Sequence, residues 1–132
     1  MKNLVTTMIV FSFLFCVFLS PAAFGAGAAS VYVTAAGSVT DAVSAVNTTY
    51  TFKAGNYTYS IAGFGPGDKL VFPAGQTPTV INNDFTDGAV DVQWASGGNI
   101  IVVHLTGLTN TQDGAIYSIS GLNKVFGAGS VQ

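Results

Sequence analysis

The sequence predicts an all-β fold, a small β-sandwich or jelly-roll-like domain with a short helix near the C-terminus, and three observations carry that expectation. Residues 29–132 hold 14 Gly and 12 Thr and few strong helix formers, a composition suited to pleated structure and tight turns. Short stretches alternate apolar and polar side chains and are punctuated by Gly, Pro, Asn and Asp. One pair of such stretches is joined by Ser96-Gly97-Gly98-Asn99, residues tolerant of positive φ, which is a strong hairpin signal.

Residues 1–28 read differently from the rest. Met1-Lys2-Asn3 is a short basic start, Met8 to Leu19 is apolar but for one Ser, and Pro21 precedes the small-residue stretch Ala22 to Ala28. This is the layout of a secretory signal peptide, with cleavage after Ala28 or after Gly25. The apolar run is about a dozen residues, short of the roughly 20 that a spanning helix needs, so no stable membrane insertion of the mature chain is expected. Cys16 lies inside that run and reads as hydrophobic filler. Residues 29–132 are then one extracellular domain without cysteine, in which Lys53, Lys69 and Lys124 stand against six Asp, with no Arg and no Glu. Such a balance excludes nucleic acid and anionic membrane as partners.

Along that domain, Ser30-Val31-Tyr32-Val33-Thr34 is the first expected strand, uncharged and flanked by Ala and Gly. Val39, Val43 and Val46 fit a short helix, whereas Ala42, Ser44 and Val46 fit a strand, so 39–46 stays open. Tyr57, Tyr59 and Ile61 alternate with Thr58 and Ser60 as a half-buried strand, and Gly63 to Asp68 breaks it. Leu70-Val71-Phe72 is stopped by Pro73, and Thr79-Val80-Ile81 starts after Pro78, where a missing amide donor is tolerated at an edge. Asp87-Gly88 turns the chain into Val90, Val92 and Trp94. The following run, Ile100 to Leu105, is apolar on both faces and is expected to be central and covered on each side. Thr109 or Thr111 caps a helix from about Gln112 to Ser120, with Ile116 and Ile119 inward and Gly121 as its stop.

Catalytic chemistry finds little support. His104 is the single histidine, so a zinc site of three or four N/S ligands cannot be assembled, and no G-x-S-x-G elbow supplies it with a nucleophile. Gly63-Phe64-Gly65-Pro66-Gly67 lacks the Lys-Ser/Thr of a phosphate loop. The expected protein is not an enzyme. Acidic residues are more suggestive: Asp84, Asp87 and Asp91 fall within eight residues at and beside a turn, with Asn82 and Asn83 adding carbonyl oxygens, and calcium takes hard oxygen ligands of that kind. Asn47-Thr48-Thr49 and Asn56-Tyr57-Thr58 match a glycosylation acceptor, relevant to a eukaryotic route alone.

Ile61-Ala62-Gly63-Phe64-Gly65-Pro66-Gly67-Asp68-Lys69-Leu70-Val71-Phe72 resembles the I-x-G/D-F-x-x-G-D-K-L-x-F block that follows the glycine-rich calcium repeats of bacterial RTX-type secreted proteins. Val102 to Thr109 and Val125 to Gly129 are similar to C-terminal segments of such proteins. The resemblance implies a block that caps a parallel β-roll in extracellular calcium-binding, adhesive or enzymatic proteins, with Asp68 at the acidic position. The chain departs from it by lacking G-G-x-G-x-D repeats and by its N-terminal signal.

The functional expectation is a secreted bacterial structural or adhesive module, a self-assembling fibre or matrix subunit stabilised by calcium at Asp84, Asp87, Asp91 and Asp68. Its self-association strand is Val31, Tyr32 and Val33, which can complete a sheet edge on a neighbouring copy to give a homo-oligomer or filament. The alternative is a carbohydrate-binding module that uses Tyr57, Tyr59 and Trp94 as flat aromatic faces.

Overall fold

The computed structural model describes residues 29–41 and 47–132. Residues 1–28, with Cys16, lie outside the described residues, as do residues 42–46 of the stretch 39–46 left open above, whose Val39 and Thr40 end a strand. Ten elements follow in order: β1 (Ala29–Val33), β2 (Gly37–Thr40), β3 (Thr48–Phe52), β4 (Tyr57–Ala62), β5 (Lys69–Val71), β6 (Thr79–Ile81), β7 (Ala89–Ser96), β8 (Asn99–Thr106), α1 (Asn110–Ala115) and α2 (Ile119–Phe126). The fold is all-β, with two sheets and two short helices after them. Among the described residues no helix is long and apolar enough to cross a membrane.

A three-stranded sheet has the order β1-β3-β5 and a five-stranded sheet the order β2-β4-β8-β7-β6. The first five strands alternate between the two sheets, so the chain winds as a coil. Each pairing among them is therefore parallel, β1 with β3, β3 with β5 and β2 with β4, and β4 also runs parallel to β8. Parallel neighbours need a crossover, and here the strand lying in the opposite sheet provides it. Antiparallel pairing, which a jelly roll would use throughout, is confined to β6–β7 and β7–β8. Residues 130–132 add to the outer side of β5, through Leu70 N to Ser130 O (2.7 Å) and Gln132 N to Leu70 O (2.9 Å).

Strand alternation sets the core. Val33, Tyr50, Phe52 and Leu70 of the smaller sheet and Ile61, Val90, Val92, Trp94, Ile101, Val103 and Leu105 of the larger one are buried in one cluster. Phe52 ties the sheets together: its ring stacks on Phe72 at 5.0 Å between centroids and meets Tyr59 of β4 edge-on at 6.2 Å. Phe64, from the loop after β4, packs edge-on against Phe126 of α2 at 5.1 Å.

Three local expectations change. β8 is central in its sheet, but its outward residues are half-buried to exposed rather than covered by a second layer, with Ile100 46% exposed. Its Ile and Val on that side reflect strand propensity rather than a second packed layer. Leu70-Val71-Phe72 shifts by one residue: β5 is Lys69–Val71, and Phe72 is buried beyond it. The single helix is two. Thr109 caps α1 by a reciprocal pair with Gln112, Ser118 caps α2 by accepting from Gly121 N, and Gly121 lies inside α2 rather than after it. Glycine is required there by a close approach, since a Cβ at 121 would sit 2.5 Å from Ala115 O at the end of α1.

Candidate functional site

The carboxylates named from the sequence serve separate parts of the fold. Asp84 and Asp87 stand in the 82–88 connection between β6 and β7. Asp84 Oδ1 accepts from Thr86 N (3.0 Å) and Thr86 Oγ1 (2.6 Å), and these bonds hold its carboxyl below the ordinary value. Asp87 Oδ1 accepts from Ala89 N at 2.9 Å. Both are the side-chain-to-backbone turns that aspartate forms readily. Asp91, on the outward face of β7, meets His104 of β8 at 2.6 Å (Oδ1 to Nδ1), its partner across the ladder. Asp68 is buried in the loop before β5, where it accepts from Thr48 N (2.8 Å) and Gly65 N (2.7 Å) and so fixes that loop to β3. Burial pushes its carboxyl up from the ordinary value, against the lowering by those two bonds.

All six carboxylates of the chain are among the described residues, and no three of them, with or without His104, gather into a group able to hold a metal ion. Among the described residues each of these oxygen-rich side chains is engaged in a different brace. Asn82 differs in the same way. Its Nδ2 donates to Asp113 Oδ1 (2.7 Å), Asp113 O (3.1 Å) and Ile116 O (3.0 Å).

Asp113 is the residue that sequence reasoning missed. It is fully buried, and its Oδ2 accepts from Gly88 N at 2.8 Å while its Oδ1 accepts from Asn82. Both ends of the 82–88 connection are thereby fastened to α1. The available signal was an Asp inside a six-residue helix immediately after its capping Gln112.

On the outward face of the larger sheet, register sets Ser60 of β4, His104 of β8 and Asp91 of β7 in one row. His104 and Asp91 are bonded.

Of the three aromatic residues proposed as a ligand platform, Trp94 is 2% exposed, Tyr59 packs on Phe52, and the Tyr57 hydroxyl donates to Lys53 O at 2.6 Å. The exposed tyrosines are Tyr32 (67%) and Tyr117 (70%). β1 pairs with β3 of its own sheet from Ala29↔Thr48 to Val33↔Phe52, with Val33 buried, Val31 half-buried and Tyr32 outward. On their other sides, β1 and β2 have no described strand as neighbour. Comparison with protein-family models, with curated proteins and with solved structures finds no match.

Proposed function

We propose that the chain is a secreted, non-catalytic bacterial structural or adhesive module, a small two-sheet sandwich that assembles through its strand edges into a fibre or matrix. One observation supports this most: among the described residues β1 and β2 are the outer strands of the two sheets at the same end of the coil, and residues 29–40 contain no charged residue and no proline. Natural edges are ordinarily blunted by Lys, Pro or a bulge, and an unguarded pair is a template for strand addition. Secretion rests on the basic, apolar and small-residue order of residues 1–28, and extracellular material is expected to begin at Ala29 or Ala26 by intact mass.

The test is sedimentation and electron microscopy of the chain as recovered from its host, across concentrations up to millimolar. Growth of extended assemblies with concentration supports the reading. A single chain at every concentration, or retention on a polysaccharide column with no assembly, overturns it.

A further inference from the structure

We infer that the two ends of the larger sheet are each other's partners, so that copies join end to end by pairing β2 of one copy with the outer edge of β6 of the next. This rests on the assembly reading above and names its junction. The five-stranded sheet has two outer strands, β2 and β6, at opposite ends of its order. β2, β4 and β8 are mutually parallel, β7 runs against β8, and β6 runs against β7. β6 therefore points the same way as β2. A second copy related by translation and sheet twist presents its β2 to β6 as one more parallel neighbour, and the pairing continues without inverting the molecule.

Both edges suit that contact chemically. Gly37-Ser38-Val39-Thr40 and Thr79-Val80-Ile81 are uncharged, whereas the chain as a whole carries six Asp and a net charge of −2. The paired strand residues themselves thus bury no ion at the junction. Side chains match by layer: Val39 and Val80 both pack against the core cluster, so pairing β2 with β6 carries the apolar layer across the contact.

The smaller sheet ends differently. Val131 N on its outer side reaches Asn123 Oδ1 at 3.4 Å, which partly closes that edge. Beside it lies a groove of about 270 Å³ lined by residues that include Phe72, Pro73, Pro78, Ile119 and Val131. A contact between two different surfaces of one chain does not close, so its product is a filament and not a dimer.

The experiment uses two double variants at exposed edge positions, Ser38→Lys with Thr40→Lys and Thr79→Lys with Ile81→Lys. Circular dichroism and melting check that each keeps the fold. Expected is that each variant alone sediments as a single chain, whereas an equimolar mixture gives a two-chain species and nothing longer, because one open β2 edge then meets one open β6 edge. Dimerisation of the Thr79/Ile81 variant alone would show that β2 ends meet one another, and would overturn the junction. Long assemblies from either variant alone would also overturn it while leaving the assembly reading standing. A wild-type chain that stays single at millimolar concentration overturns both.

Discussion

Two connections join antiparallel neighbours in the larger sheet, and they are closed by different means. Between β7 and β8 the turn is Gly97-Gly98, with φ of 58° and 82°, and the ladder runs unbroken from Ser96↔Asn99 to Ala89↔Thr106. Between β6 and β7 the chain takes residues 82–88, and its ends are held by a carboxylate 25 to 31 residues away, Asp113 on α1. The first closure is made by the residues of the turn itself. The second needs a helix that forms later in the chain, so its stability is coupled to the packing of α1 and α2 as the first one's is not.

The largest test of that contrast is Asp113→Ala. Hydrogen bonds to a charged group are worth about 1.5–3 kcal/mol each, and the substitution removes two of them, leaving Gly88 N without its acceptor while Asn82 Nδ2 keeps Asp113 O and Ile116 O. A loss of about 3–5 kcal/mol in denaturant unfolding is expected, with Asp113→Asn losing less because its amide oxygen keeps one acceptor. A loss below about 1 kcal/mol for the alanine variant would mean that the 82–88 connection closes on its own.

Gly98→Ala probes the local closure. The site has open space around an added Cβ, so the cost is the left-handed backbone alone, about 1 kcal/mol. Chemical denaturation would measure it. A loss as large as that of Asp113→Ala would place the remote and the local closure on the same footing and remove the contrast.

The same division decides what was legible in the sequence. The β7–β8 hairpin, the Pro78-led edge strand β6 and the Thr109 cap were visible because each is written in neighbouring residues. The coil was not. Its parallel register, such as Tyr50↔Leu70 or Ile61↔Leu105, joins residues 20 to 44 positions apart, and alternating patterns read the same for parallel and antiparallel neighbours. The acidic residues are spread over separate braces for a related reason. Proximity in sequence put Asp84, Asp87 and Asp91 together, yet the turn bonds the first two to their own backbone, and strand alternation sends the third to His104. Gly121 was read as a stop because the close approach that requires it involves another helix.

The smallest effect, and the one that separates local from remote bracing most cleanly, is the response to acid of Asp84 and Asp68. Asp84 is braced within its own turn and its carboxyl is held below the ordinary 3.8 by Thr86. The unfolded chain then takes up the proton first, so the stability Asp84 contributes is present above pH 3.8 and is lost as pH falls through its lowered value. Asp68 braces a distant strand from a buried position, and burial raises its carboxyl above 3.8. Here the folded chain takes up the proton first: stability is gained as pH falls through the raised value and is fully present below 3.8. Melting temperatures of the wild type, Asp84→Asn and Asp68→Asn from neutral pH downward check both signs. Relative to the wild type, Asp84→Asn is expected to fall less steeply below pH 3.8. Asp68→Asn is expected to lose the compensating gain just above pH 3.8, and so to fall more steeply there. If both variants shift the curve in the same direction, the carboxylate that reaches across the fold is no more desolvated than the one that serves its own turn.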